Sequence, residues 1–273
     1  MEATLWQRGR LELEGDVIYY EWSHRGDGDR RPVVVLTHGA GGSHAAWYAQ
    51  VPTLAEHYRV LTWDSRGFGN STCNAGTVDA AQSARDLDAI LSAVAVDAPE
   101  PVHLVGQSMG GWWVVAFALA TPGRVLSLTL SDTPGGVWTP ALQEHFRTFR
   151  AGGGTLRSDV VGRHTALGET TQRTNPTMTF LYQQLGSFHE PPLGEIVKVL
   201  GRTSTPVADL KALGRPLLVI AGEEDQIFPP GLLAELAQQL GARFVQLDGA
   251  GHSPYFEDPE AYNAALLSFL ENV

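Results

Sequence analysis

The sequence predicts an α/β fold built on a mostly parallel sheet, and three observations carry that reading. Short apolar runs of strand length alternate with segments in helical spacing. One such run passes straight into a long apolar helix through Gly106-Gln107-Ser108-Met109-Gly110. The alternation stops once, between Ser131 and Pro216, and then resumes. With 273 residues, 43% of them hydrophobic and 18% charged, the chain can bury the sizeable core such a sheet needs.

Strands are expected at 17–22, 33–37, 59–62, 102–105, 125–131, 217–221 and 244–247, the later ones being short continuous apolar runs that suit strands covered on both faces. Between them, Ala80, Ala84, Leu87, Leu91 and Val94 keep helical spacing, as do Leu232, Leu233, Leu236 and Leu240, and then Tyr262, Ala265, Leu266 and Phe269. The helix from Trp112 to Ala120 is apolar on every face and stops at Thr121-Pro122-Gly123. Its unbroken run falls far short of the roughly 20 residues needed to cross a bilayer, so it is read as packed deep against the sheet, with no membrane insertion expected. The interruption holds Gly152-Gly153-Gly154, three histidines (His145, His164, His189) and a mixed apolar set including Phe146, Phe149, Met178, Phe180, Leu181, Tyr182 and Phe188. It is too long for a simple loop and is read as a helical cap. The division expected is a core of residues 1–132 and 207–273 with a cap, or lid, at 133–206.

Composition excludes some functions. A formal charge of −11 argues against a phosphate backbone as partner. Cys73 is the single cysteine, so no intramolecular disulfide can form. The N-terminal stretch lacks the basic and apolar regions of a signal peptide, and a cytoplasmic location is the expectation.

Ser108 is the leading candidate for chemistry, because G-x-S-x-G between a strand and a helix holds one hydroxyl exposed on a sharp, strained turn. A serine hydroxyl is a poor nucleophile until a base takes its proton. His252 lies in the flexible segment Asp248-Gly249-Ala250-Gly251-His252-Ser253-Pro254 after the last strand and is the candidate base. Asp225, after the strand at 217–221, is the candidate carboxylate that orients it, with Asp132 as the competitor because it too ends a strand; Glu223 and Glu224 are expected to be solvated. An oxyanion needs two preorganised N–H donors. Met109 supplies one from its backbone, and Thr37-His38-Gly39-Ala40-Gly41-Gly42-Ser43 should supply the other, from Ala40 or, failing that, Gly41. Gly41, Trp47, Trp112 and Trp138 are candidate substrate-binding residues. No metal site is expected, since H-E-x-x-H is absent and the nine histidines are scattered. His38 and His44 are read as loop packing or pocket lining.

These motifs together resemble the α/β-hydrolase superfamily from about residue 17 to the C-terminus. The resemblance rests on His38-Gly39, the Asp64 to Ser71 segment, the Ser108 turn, Asp225 and Gly249-Ala250-Gly251-His252. It implies an eight-stranded, mostly parallel sheet, a Ser108-Asp225-His252 triad and a lid between the sixth and seventh strands. The function it implies is a cofactor-independent serine hydrolase acting on a small ester, lactone or related acyl substrate. Two alternatives are carried beside it: a C–C bond hydrolase or lyase using the same triad on a diketone or enolate, and a ligand sensor with slow turnover. The Asp64 to Ser71 segment resembles a mainly structural turn of the family. No motif names the substrate or the oligomeric state.

Overall fold

The computed structural model describes residues 3–26, 28–74, 78–94, 100–151, 160–187 and 193–273. The Gly152-Gly153-Gly154 run, Phe188 and His189 lie outside the described residues.

The strands are β1 (Leu5–Leu13), β2 (Asp16–His24), β3 (Val33–Thr37), β4 (Arg59–Trp63), β5 (Val102–Gln107), β6 (Val125–Ser131), β7 (Leu217–Gly222) and β8 (Arg243–Leu247). They form one eight-stranded sheet in the order β1-β2-β4-β3-β5-β6-β7-β8. The β1/β2 and β2/β4 pairs are antiparallel and the rest parallel.

Every anticipated strand is present, and β1 is an addition. Its first half is exposed and only Leu11 and Leu13 of its second half turn half-buried toward the core, an alternation too short to mark it; the backbone ladder to β2 makes it a strand. Strand β8 corrects an expectation, for it lies at the sheet edge and is only partly buried. In the middle of the sheet the prediction holds: β3 and β5 are buried throughout. Successive side chains point to opposite faces, so Val33 and Val35 join one core while Val34 and Leu36 join the other.

The helices are α1 (Gln50–Leu54), α2 (Ala80–Val94), α3 (Met109–Ala120), α4 (Pro140–Ala151), α5 (Glu169–Thr174), α6 (Pro176–Leu185), α7 (Leu193–Arg202), α8 (Val207–Ala212), α9 (Pro230–Leu240), α10 (Pro254–Glu257) and α11 (Pro259–Leu270). Local chemistry marks their ends. Asp258 caps α11 by accepting the N–H of Ala261 at 3.0 Å, with Pro259 in the first turn. Gly241 closes α9 in the left-handed region. In α3, nine of twelve residues are buried, which settles its place inside the molecule. Among the described residues no helix is long and apolar enough to cross a membrane. Helices α4 to α8 occupy the interruption between β6 and β7.

The sheet topology brings distant segments together. From β3 the chain steps to β4 on one side and, through α2, to β5 on the other, so β3 lies between β4 and β5. Such a reversal opens a crevice at the carboxyl ends of the strands. Thr37 pairs with Gly106, Gln107 with Ser131, and Gly222 with Leu247. The segments that follow β3, β5, β6, β7 and β8 therefore leave the sheet side by side.

Candidate active site

Ser108 stands between β5 and α3 with φ 48° and ψ −119°. This backbone conformation is costly for a residue with a side chain. Strand pairing on one side and the helix on the other hold it: the Ser108 N–H donates to the Ser131 carbonyl at 3.0 Å, and the Gly111 N–H donates to the Ser108 carbonyl at 2.9 Å. The N–H of Met109, first in α3, is one of the terminal donors that a helix cannot satisfy internally. The segment after β3 presses on this turn; a Cβ placed on Gly39 would lie 3.0 Å from that of Ser108. Residues 39–42 form a tight turn, closed by the Gly42 N–H on the Gly39 carbonyl at 3.0 Å, in which Gly41 takes φ 79°. Ala40 and Gly41 thus lie beside Ser108.

His252 and Asp225 are both buried, and His252 Nδ1 meets Asp225 Oδ2 at 2.8 Å. The other carboxylate oxygen of Asp225 accepts the N–H groups of Ile227 at 2.8 Å and Phe228 at 3.1 Å, which fix the orientation of the carboxylate. With Nδ1 donating to Asp225, Nε2 is left as the proton acceptor. Gln107, next to Ser108, donates from Nε2 to the His252 carbonyl at 2.8 Å and ties the histidine segment to the serine turn. No hydrogen bond joins the Ser108 hydroxyl to His252 in the structure; contacts of this type commonly tighten only when substrate is bound.

Two further carboxyl groups flank this arrangement. Asp132 has no exposed surface, takes φ 51°, and accepts the Gly222 N–H at 2.8 Å and the Ser131 hydroxyl at 2.9 Å. One side-chain nitrogen or oxygen from each of Asp132, Asp225 and His252 lies within 4.8 Å of the others, and these three are the one cluster of potential metal ligands among the described residues. Burial, together with the charge of Asp225, pushes the Asp132 carboxyl well above the usual carboxylate range. Glu257 on α10 escapes the sequence reading. It accepts the N–H groups of Gly251 at 2.8 Å and Ser253 at 3.2 Å, on either side of His252, and that of Gly168 at 2.7 Å. Burial pushes its carboxyl up to about 7 despite these donors. Nothing in its local sequence marks it, because its partners are backbone groups.

The remaining expectations divide. Trp112 and Trp138 pack ring to ring at 5.7 Å, and both pack on Phe228, whose ring lies 5.8 Å from that of His252. Phe146 of α4 stacks on Phe228 at 5.6 Å, so an aromatic wall runs from the imidazole into the interruption. Trp47 is corrected: it packs between Tyr255 and Tyr262 in the core cluster on the other face of the sheet from Trp112 and Trp138, which makes it a core residue rather than a pocket wall. Glu224 is corrected too. Instead of standing free in solvent it accepts the N–H of Thr170 at 2.9 Å and its hydroxyl at 2.6 Å, fastening α5 to the segment that carries Asp225. Glu223 is exposed and accepts the Gly249 N–H at 2.8 Å. Tyr182 of α6 shares a 2.7 Å hydrogen bond with Ser253.

His38 is buried packing, its Nε2 accepting the Ser65 N–H at 3.1 Å while Nδ1 meets the Gly39 carbonyl at 2.7 Å; burial pulls it below the ordinary histidine value. His44 meets the buried Asp64 at 2.8 Å, a pairing that outweighs burial and raises the imidazole. His145 contacts the Gln226 carbonyl at 3.0 Å, and His164 Nδ1 accepts the Ala166 N–H at 3.1 Å.

Known proteins place this architecture. Residues 32–259 match the family model described as the alpha/beta hydrolase fold. A pimeloyl-[acyl-carrier protein] methyl ester esterase of Aeromonas hydrophila is 30% identical over 242 residues, covering 85% of this chain and 92% of the relative. A thermophilic esterase from Thermogutta terrifontis superposes with a TM-score of 0.78 at 28% identity, covering 97% of this chain and 98% of the other. The enol-lactonase from Burkholderia xenovorans gives a TM-score of 0.75 at 25% identity, covering 96% and 100%. The eight strands in this order, the strained serine between strand and helix, and a family match over most of the length make the chain a member of the α/β-hydrolase fold family.

Proposed function

We propose that this hydrolase is a serine hydrolase that cleaves a small ester, lactone or related acyl substrate through an acyl-enzyme on Ser108. The observation that carries the reading is the strained Ser108 turn, tied by Gln107 to a buried His252–Asp225 pair. Ser108 Oγ attacks the substrate carbonyl carbon while His252 Nε2 takes its proton. Asp225 holds the imidazole in the tautomer that leaves Nε2 free and stabilises the imidazolium. Negative charge then develops on the carbonyl oxygen, where the N–H groups of Met109 and Ala40 donate, with Gly41 as the alternative to Ala40. His252 returns its proton to the leaving oxygen and next takes one from water, which attacks the acyl carbon and frees Ser108. Residues 133–206 serve in this reading as a cap over the crevice, with the aromatic wall of Trp112, Trp138, Phe146 and Phe228 on the acyl side. The esterase and lactonase named above support the reaction class.

Ser108→Ala should lose on the order of 10⁶-fold in p-nitrophenyl acetate turnover with an unchanged melting temperature. A fluorophosphonate probe should label the wild-type protein at Ser108. Undiminished turnover in the variant, or labelling at another residue, overturns the reading.

A further inference from the structure

We propose that Gln107 is a positioning residue, a spacer whose one side chain sets both the oxyanion turn and the His252 peptide at working distance from Ser108. The inference rests on the serine-hydrolase reading and adds a member to its machinery. Gln107 is the last residue of β5, and its side chain leaves on the same sheet face as that of Val105, which shares a core cluster with Tyr255 and Phe256 of the segment after His252. It is buried, so its carboxamide must be satisfied within the protein. At one end, Nε2 donates to the His252 carbonyl at 2.8 Å. At the other end the carboxamide lies against the turn after β3: a Cβ placed on Gly39 would stand 2.1 Å from Gln107 Oε1 and 3.1 Å from its Cδ. Gly39 is not among the left-handed glycines, so it is the space taken up by its neighbours, the carboxamide foremost, that demands glycine there.

Three parts of the site are therefore joined through one residue. Ser108 follows Gln107 in the chain, the His252 peptide hangs from its amide nitrogen, and the oxyanion turn rests on its amide oxygen. Its task differs from those of the two carboxylates nearby. Asp225 aims the imidazole through Nδ1, and Glu257 holds the N–H groups of Gly251 and Ser253, whereas Gln107 holds the carbonyl of His252 itself and is the member of the three that also meets Gly39.

Gln107→Met keeps the length of the side chain and removes the donor. It should lower kcat about 10²-fold with KM within about threefold, because a small displacement of the base acts on the chemical step rather than on the surface that receives substrate. Gly39→Ala drives the carboxamide aside and should lose a comparable factor. Gln107→Ala vacates the space that the new methyl group needs. Adding Gly39→Ala to Gln107→Ala should then cost less than about fivefold more, since the two substitutions act through one contact and their effects do not multiply.

The experiment measures kcat and KM for p-nitrophenyl acetate in the wild type, Gln107→Met, Gln107→Ala, Gly39→Ala and the Gly39→Ala/Gln107→Ala double variant, with melting curves for each. An unimpaired kcat in Gln107→Met overturns the proposal, and so does a loss confined to KM. Full multiplication of the two alanine losses in the double variant overturns it as well, because two unrelated packing defects would give that result. Should the alanine variants fail to fold, Gln107→Met decides unaided. Ser108→Ala run alongside separates the two readings, since turnover independent of Ser108 breaks the hydrolase assignment, whereas Ser108-dependent turnover that survives intact in Gln107→Met breaks only the role of Gln107.

Discussion

The strand-end segments and the interrupting helices are held by different physics. Ser108, Asp132, Asp225 and His252 are attached to the ends of parallel strands, and their backbone groups bond to one another across the sheet end. Helices α4, α5 and α6 bury little of themselves: Leu142 in α4, Thr179 in α6, and nothing in α5. Besides the aromatic contacts of Phe146 with Phe228 and Tyr182 with Phe256, polar tethers fasten them. Thr170 bonds to Glu224, Gly168 to Glu257, Tyr182 to Ser253 and His145 to Gln226. Each tether ends within five residues of Asp225 or His252, so the contacts of this region bear on the proposed catalytic pair. A rigid frame sets distances, and a lightly buried layer can shift on it at small cost.

That contrast can be broken at three points. The largest effect is expected at Gly222, where an added Cβ would collide with the carbonyl oxygens of Gly251 and Ala250. Backbone meets backbone there, so Gly222→Ala should cost about 3 kcal/mol, measured by urea unfolding, and take most of the turnover with it. A tolerated alanine would mean the strand ends are not the rigid partner.

Next comes Glu257, which clamps both peptides beside His252 and also reaches the interruption through Gly168. Glu257→Ala, which removes the oxygen that accepts both peptides, should lower kcat by about 10²-fold with little change in KM, because it frees the imidazole and leaves the substrate surface intact. Its pH dependence has a definite sign. The folded group titrates at about 7 against an ordinary value of 4.5, so the folded state holds this proton more tightly. The stabilisation is complete below pH 4.5 and is lost as pH rises through about 7. Melting temperature should decline over that window, and Glu257→Gln should lack this share of the decline.

The smallest effect is expected at Thr170, where Thr170→Val removes the hydroxyl bond to Glu224. About 1 kcal/mol is at stake, and it should appear as faster hydrogen exchange in α5 with the global melt nearly unchanged. A large drop in global stability would show that the interruption is part of the cooperative core.

Most of the frame is legible in the sequence. Central strands such as β3 and β5 advertise themselves because burial on both faces demands a continuous apolar run, and α3 does so for the same reason. β1 is faint, since only Leu11 and Leu13 alternate inward and backbone pairing to β2 holds the rest. Trp47 and Glu224 mislead for a shared reason: a tryptophan in a Gly-rich loop and a glutamate in an acidic run carry no local sign of which partner lies across the fold.

The order of residues along the chain is enough to make Ser108, His252 and one of two strand-end acids, Asp225 ahead of Asp132, the candidates for chemistry, because each follows a recognisable strand. Only the folded sheet decided that Asp132 stands against Asp225, that Glu257 grips the peptides around His252, and that Phe228 links the imidazole to the interrupting helices. Those facts arise from strand order and register, which bring together groups far apart along the chain and bury them against one another.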